Sequence, residues 1–271
     1  MRWFALTTAL AFAAAAAPRA ALADDASGTH YEIGLDIWLS SVSGRIDSPD
    51  GETTFRVPFS QLKDHLNGAL AMYARGDWDA WFARFDGTYA SLAGDDIDKT
   101  IRLGPRGGIE IPASVKASLV EWILQLEGGH QLFEFGSLFS NRPTDTRRFT
   151  GEVYFGARYW AMDPKIQIGL GAIHFRLGDR VDWVDPFIGA RFHVDLSSTV
   201  YMEVAGDVGG FDIGGWCSKF AWGQSTEIAW RFADSWVTHI GYKFLDYDRS
   251  SGLQDEKIQT RGPYIDLGFR F

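Results

Sequence analysis

The last ten residues of the chain alternate strictly. Pro263, Ile265, Leu267, Phe269 and Phe271 fall on one face, and Gly262, Tyr264, Asp266, Gly268 and Arg270 on the other. Successive side chains of a strand point to opposite sides, so this pattern describes a strand between two unlike environments. The same rhythm runs through Tyr31–Leu39, Ile188–Val194, Val200–Asp207 and Trp236–Phe244. After the first two dozen residues no apolar run approaches the roughly 18 residues of a membrane-spanning helix. If the chain crosses a membrane again, it crosses with strands.

The start of the chain reads as an address. Arg2 precedes the largely apolar run Trp3–Ala17, and Ala21-Leu22-Ala23 supplies a small-residue cleavage pattern. We read residues 1–23 as a secretory signal peptide and 24–271 as one barrel domain. Composition narrows the rest. A hydrophobic fraction of 46% excludes a disordered chain. A single cysteine, Cys217, excludes a disulfide framework, and a net charge of −9 argues against a nucleic-acid partner. Aromatics reach 15%, there are 30 glycines, and lysine is scarce. That is an unusual mixture for a surface that everywhere faces water.

Turn residues separate some strands closely, at Gly76–Asp79, Met162–Lys165, Asp195–Ser198 and Ala233–Ser235. Long polar links separate others, at Ser43–Asn67, Gly94–Ala113, Gly178–Asp182, Gly209–Cys217 and Asp248–Glu256. Alternation of short and long connections is expected of an outer-membrane barrel. Counting strands between these breaks predicts an all-β antiparallel transmembrane barrel of twelve strands, with ten or fourteen as alternatives. The count depends on a turn at Gly128-Gly129, or earlier near Gly107-Gly108. Phe59–Leu66 reads as a short loop helix, packed on the rim or reaching into the lumen as a plug.

Alternation does not say which face meets water. Aromatics crowd the strand ends beside the short turns, at Trp78, Trp81, Tyr159, Trp160, Trp230, Phe232 and Trp236, as in the girdles of membrane barrels. Glycine and isolated charges of both signs occupy the other face. A soluble, secreted barrel holding an apolar ligand is the rival arrangement.

The terminal segment Ile265–Phe271 resembles the C-terminal assembly signal of Gram-negative outer-membrane barrels, which end in an aromatic residue. Gly156-Ala157-Arg158-Tyr159-Trp160, Asp185–Phe192, Gly206–Phe211 and Gly241-Tyr242-Lys243 resemble segments of a family of small, mostly uncharacterised proteobacterial outer-membrane β-barrels. The resemblance spans roughly residues 24–271. It implies export through the periplasm to the outer membrane. It also implies recognition by the barrel-assembly machinery through Ile265, Leu267, Phe269 and Phe271, and a surrounding of lipid and lipopolysaccharide. Its motifs are structural and imply no mechanism.

With the apolar face toward lipid, the other face fills the lumen. Its charged set is Asp36, Arg75, Arg84, Asp86, Glu152, Arg158, Arg191, His193, Glu203, Asp207, Glu227, Lys243, Asp266 and Arg270. Charges in a narrow lumen must be paired or wet, and Glu152 with Arg191 and Arg270 with Glu32 are the expected pairs. The network is either a structural filling or the lining of a narrow pore. No histidine pair has metal-ligand spacing, no G-x-S-x-G elbow is present, and no cofactor is expected. Asp207 before Gly209-Gly210 is the nearest approach to a protease carboxylate. Arg102, Arg106, Arg142, Arg147, Arg148 and Arg180, all assigned to external links, suit lipopolysaccharide phosphates. The function expected is a passive channel or structural barrel without catalysis. A lipid-modifying or proteolytic barrel acting through its rim is the alternative.

Overall fold

A computed structural model describes residues 29–48, 51–94, 97–103, 109–136, 147–170, 173–177, 179–251 and 254–271. The expected signal peptide lies outside these residues. Among the described residues fourteen strands form one antiparallel sheet. They are β1 (Thr29–Trp38), β2 (Ser41–Ser48), β3 (Gly51–Val57), β4 (Leu66–Trp78), β5 (Trp81–Ala93), β6 (Ile97–Leu103) and β7 (Ile109–Gly136). Then follow β8 (Arg148–Leu170), β9 (Ile173–Leu177), β10 (Val181–Asp195), β11 (Val200–Gly210), β12 (Phe220–Ala233), β13 (Trp236–Ser251) and β14 (Gln254–Arg270).

Ten of these close a barrel in the order β1-β4-β5-β7-β8-β10-β11-β12-β13-β14, with β14 returning to β1. Closure pairs Glu32 with Arg270 and Trp38 with Tyr264, and leaves no free edge in the barrel wall. The ladder from Glu32 passes Arg75, Arg84, Glu127, Gly156, Phe187, Gly209, Ala221 and Tyr247 and reaches β14 at Ile258. Glu32 also pairs with Arg270 directly. One circuit therefore shifts the register by the twelve residues between Ile258 and Arg270. With ordinary strand spacing and rise, that shear tilts the strands by about 40°.

The barrel therefore has ten strands, not twelve. Gly128-Gly129 lies inside β7, where the two glycines pair with Phe155 and Tyr154 of β8. Met162–Lys165 lies inside β8, paired with Ser118–Glu121. The inward phenyl ring of Phe82 packs over Gly129, where a Cβ would lie 2.5 Å from it. This glycine answers a neighbour's bulk, not a reversal of the chain. Asp163-Pro164-Lys165 carries turn chemistry, but its strand runs on beyond the barrel wall with Lys165 exposed, where polar residues and a proline are tolerated.

Several expected long links are also sheet. β2 and β3 form a hairpin on the far part of β14, β6 pairs with β7, and β9 pairs with β8. The strands thus project well past the barrel at one end. The other end has tight turns at Asp79-Ala80 and Asp234-Ser235, and it carries both Thr29 and Phe271. β7 ends at Gly136 and β8 begins at Arg148 at this same end. Arg147 and Arg148 therefore sit among the short turns, not with the external links to which the sequence assigned them. Arg102, Arg106 and Arg142 fall outside the described side chains. The short helix α1 (Phe59–Leu62) continues as a 3₁₀ turn through His65 and buries no residue. Its first amide donates to Ser41 Oγ at 3.1 Å. It rests on the rim and does not plug the lumen.

The two faces separate cleanly. Ile33, Met72, Leu126, Phe155, Ile188, Ile228, Ile240 and Ile265 are exposed on the outside, each more than 40% accessible. Asp36, Glu127, Arg158, Asp185, Arg191 and Asp266 are buried inside. This inverts the arrangement of a water-soluble barrel. A background in which Cys217 is serine permits a test of closure. Cysteines at Leu35 and Leu267, directly opposed across β1–β14, are expected to cross-link on oxidation in the folded protein. Failure to cross-link while a β13–β14 control pair does so would contradict the closed wall.

Candidate functional site in the barrel interior

The interior is built in layers, because residues alternate inward along every strand and the strands tilt together. Near the short turns, Arg191 of β10 reaches three carboxylates: Glu127 of β7 at 2.5 Å, Glu203 of β11 at 2.9 Å and Glu152 of β8 at 3.2 Å. Glu152 in turn holds Arg75 at 2.7 Å, and Arg75 holds Asp77 at 2.7 Å. The guanidinium groups of Arg75 and Arg191 lie over the ring of Phe82, 4.3 and 5.2 Å from its centre. Flat cations stacked on an aromatic face lose less on dehydration than cations packed against aliphatic groups.

Across the same level stands a network of neutral and charged groups. His239 Nδ1 meets Asp266 at 2.5 Å and Nε2 meets the Tyr201 hydroxyl at 2.7 Å. The Tyr73 hydroxyl donates to Glu32 at 2.7 Å, and that of Tyr264 donates to Glu227. Glu32 also meets Arg270 at 3.5 Å, and His193 meets Asp195 at 3.1 Å. One level up, Arg158 binds Asp207 at 2.9 Å and Gln125 at 2.8 Å, Arg84 binds Asp86 at 2.8 Å, and Lys243 is paired with Asp36.

The level toward the projecting strands is aromatic. Trp160, Trp183 and Tyr247 pack with ring centres 5.1–5.7 Å apart. Asp185 is fully buried among them and accepts from Trp160 Nε1 at 2.9 Å, Trp183 Nε1 at 3.2 Å, and the Ser218 amide and hydroxyl at 2.7 and 2.8 Å. Four donors satisfy a carboxylate that could not otherwise sit in an apolar box. Ser218 ends the loop between β11 and β12. Its neighbour Cys217 accepts the Ile213 amide and donates to the Gly210 carbonyl. Asp185 thus pins that loop into the mouth of the barrel.

Between the layers lies a cavity of about 110 Å³ lined by Arg84, Glu127, Arg158, Arg191, Glu227 and Lys243 among others. It has room for a few waters and little more. All fourteen charges read from the sequence lie on the inward face, and all have the partners just given. Glu127, Tyr73, Tyr201, His239, Asp185 and Ser218 belong to the same interior and were not in that set. A turn at Gly128-Gly129 had removed Glu127 from the lumen. Asp185 was legible from its parity with Phe187 and Arg191.

Most charged groups of the interior are paired, while Asp36 Oδ1, Arg231 Nε and Arg249 Nε and Nη1 are buried without a hydrogen-bond partner among the described residues. Asp207 is committed to Arg158, and the Tyr201–His239–Asp266 chain has the shape of a relay but is buried at every member. Among the described residues no group of His, Cys, Asp and Glu has the arrangement of a metal site. Outside the barrel wall, hydrogen bonds from the Ser250 hydroxyl and the Lys219 ammonium hold the Asp255 carboxyl below its usual range. The clearest energetic test is Arg191→Met. It leaves Glu127, Glu152 and Glu203 facing one another without their shared cation and is expected to cost about 3–5 kcal/mol in reversible urea unfolding. A loss below about 1 kcal/mol would mean that the cluster is as wet as a surface pair.

No family model matches the chain, and no curated protein matches it. Among solved structures, the outer membrane protease OmpT from Escherichia coli aligns over 90% of this chain and 96% of its own, with 10% identity and a TM-score of 0.49. Ail, the attachment invasion locus protein of Yersinia pestis, aligns over 90% and 99%, with 10% identity and a TM-score of 0.33. Neisserial surface protein A aligns over 90% and 98%, with 8% identity and a TM-score of 0.32. The activities those names describe do not transfer at such distance.

Proposed function

We propose that the chain is an outer-membrane β-barrel with a filled lumen, a rigid mount that carries its extended strands and loops outside the cell. The observation that carries this reading is the stopping of the lumen on both sides of the central cavity. Arg191 and its three carboxylates stop it with the His239 network near the short turns. Trp160, Trp183, Tyr247 and the Asp185–Ser218 latch stop it toward the projecting strands.

The membrane part rests on the exterior. Trp78, Trp81, Trp230, Phe232 and Trp236 ring the short-turn end, and Tyr89, Trp122, Tyr159, Trp222 and Phe244 form a second ring. Trp230 and Trp222 are eight residues apart on β12, which at the tilt above separates the rings by about 20 Å. An outer-membrane apolar band is about 25 Å tall. The short turns and both described termini then face the periplasm, and the projecting hairpins face outward. The C-terminal set Ile265, Leu267, Phe269 and Phe271 lies on the lipid face, and Phe271 stacks on Tyr31 at 5.6 Å. There it can serve as the handle for the assembly machinery.

A narrow channel is the second reading, favoured by the charged central cavity. Planar-bilayer conductance of the refolded chain separates the two. Silence from heat-modifiable, folded protein is expected, and discrete reproducible steps would overturn the filled-lumen reading. Two further outcomes test the membrane placement. Phe155→Arg, mid-band on β8, is expected to cost about 2–4 kcal/mol in lipid, and no change would contradict the assigned lipid face. Deleting Phe271 is expected to lower the amount of folded barrel in the outer membrane, and unchanged levels would remove its role in assembly.

A further inference from the structure

The barrel wall is interrupted on one side. β1 and β2 both pair with β14, so together they run up its edge and meet at Leu39-Ser40. On their other edge the ladder with β4 ends at Asp36 and Ala71, and the ladder with β3 begins only at Val42 and Val57. Among the described residues no strand pairs with that edge of β4 above Ala71. The upper part of β4, Leu66–Leu70, continues with β5 alone. The short helix α1 and its 3₁₀ turn cross above the gap between Val57 and Leu66. The result is a window in the wall. Its five residues on β4 rise about 13 Å at the tilt above. Leu70 lies opposite Tyr89 of the upper aromatic ring, so the window opens at the surface of the outer leaflet.

The residues beside the window show that it is open. Ala69 points inward, in phase with Ala71 and Tyr73, yet it is exposed while they are buried. A Cβ on Gly68 would meet nothing within 4 Å. Leu39, Leu66 and Leu70 give the opening an exposed apolar border. At its foot the window meets the central cavity. Trp38, the last residue of β1, and Thr88, opposite Ala71, both line that cavity. The Trp38 indole donates to the Gly262 carbonyl at 3.1 Å, and its ring forms the threshold between cavity and window.

The threshold sets the class of ligand. Asp36 is the last rung of the β1–β4 ladder, one inward position below Trp38. It is buried and paired with Lys243 through Oδ2, but Oδ1 has no hydrogen-bond partner among the described residues. A buried acceptor without a donor is costly. The nearby cations are already matched, Arg84 by Asp86, Arg158 by Asp207 and Lys243 by Asp36 itself. A charged ligand would therefore add an uncompensated charge. A hydroxyl supplies the missing donor without one.

We propose that the window is a binding site for a small neutral molecule with an apolar body and one hydroxyl, of the class of alkylphenols. The body lies below α1 between Leu39 and Leu70, and the hydroxyl donates to Asp36 Oδ1 when the Trp38 ring yields. The lumen stays stopped along its axis. The proposal rests on the outer-membrane reading and adds a side pocket and a ligand class to it.

The test is fluorine NMR of the refolded barrel in detergent micelles, titrated with para-(trifluoromethyl)phenol. The wild type is expected to show one saturable bound signal, distinct from that of phenol dissolved in micelles. Trifluoromethylbenzene, which lacks the hydroxyl, is expected to bind at least tenfold more weakly. Ala69→Phe, which fills the window, is expected to weaken phenol binding at least tenfold while the barrel stays heat-modifiable. Ala190→Phe, exposed on the lipid face of β10 at the opposite side of the barrel, is the control and is expected to change it less than twofold. In a Cys217→Ser background, a spin label on Leu70→Cys is expected to broaden the bound signal, and one on Ile188→Cys to leave it sharp. Folded barrel that shows only partitioning into micelles overturns the proposal. So does unchanged binding in Ala69→Phe, or equal binding of the analogue without a hydroxyl. Each of these leaves the outer-membrane reading standing. A chain absent from the membrane fraction of expressing cells would instead overturn that reading.

Discussion

The pairing of Arg191 with Glu127, Glu152 and Glu203 is the interaction on which the rest of the interior depends. It joins the four consecutive strands β7, β8, β10 and β11 along one sector of the wall. A ten-stranded wall with a shear of twelve encloses more space than its backbone can fill, and the large inward side chains that fill it are mostly charged or phenolic. Each such group must find a partner before water is excluded, because a buried unpaired charge costs more than a pair gains. Arg75–Asp77, Arg84–Asp86 and His193–Asp195 pair within one strand, but Arg191, Arg158, Lys243 and His239 take partners from other strands, and these contacts also hold the strands in register. A slip of one residue would turn every inward carboxylate of the slipped strand toward the outside.

The glycines complete that arrangement. Gly129, Gly156, Gly189 and Gly268 face inward where the rings of Phe82, Phe187, Tyr154 and Tyr73 lie over the inner surface of nearby strands. Large rings and bare backbone therefore alternate between neighbouring strands, which helps a barrel of this width reach a packed interior. At the upper level the same logic uses indole and a single carboxylate. Asp185 gathers two tryptophans and a loop, and the loop becomes part of the filling.

Faces were more legible in the sequence than strand ends. Period two is a property of each strand, so Ile265 and Asp266 or Ile240 and His239 declare their sides without any partner. Strand count depends on turns, and turn residues have other uses in a wall that runs past the membrane. Gly128-Gly129 accommodates Phe82, and Asp163-Pro164-Lys165 occupies a strand projecting into water. The lumen charges followed from parity alone. The hydroxyls of Tyr73, Tyr201 and Tyr264 did not, because a tyrosine on either face satisfies the pattern. The aromatic cap and the Asp185 latch need the three-dimensional register, which brings Ser218 to Asp185 from 33 residues away.

The account claims an apolar exterior in lipid and an interior closed to both lipid and water. Spin-label accessibility along β12 in bilayers tests both parts at once. Labels at Thr226 and Ile228 should be reached by oxygen from the lipid phase, and labels at Ser225 and Ala229 by neither oxygen nor an aqueous nickel complex. Aqueous quenching at Ser225 and Ala229 equal to that of a loop site would mean an open lumen. Oxygen access at Ser225 and Ala229 in place of Thr226 and Ile228 would mean that the faces are reversed.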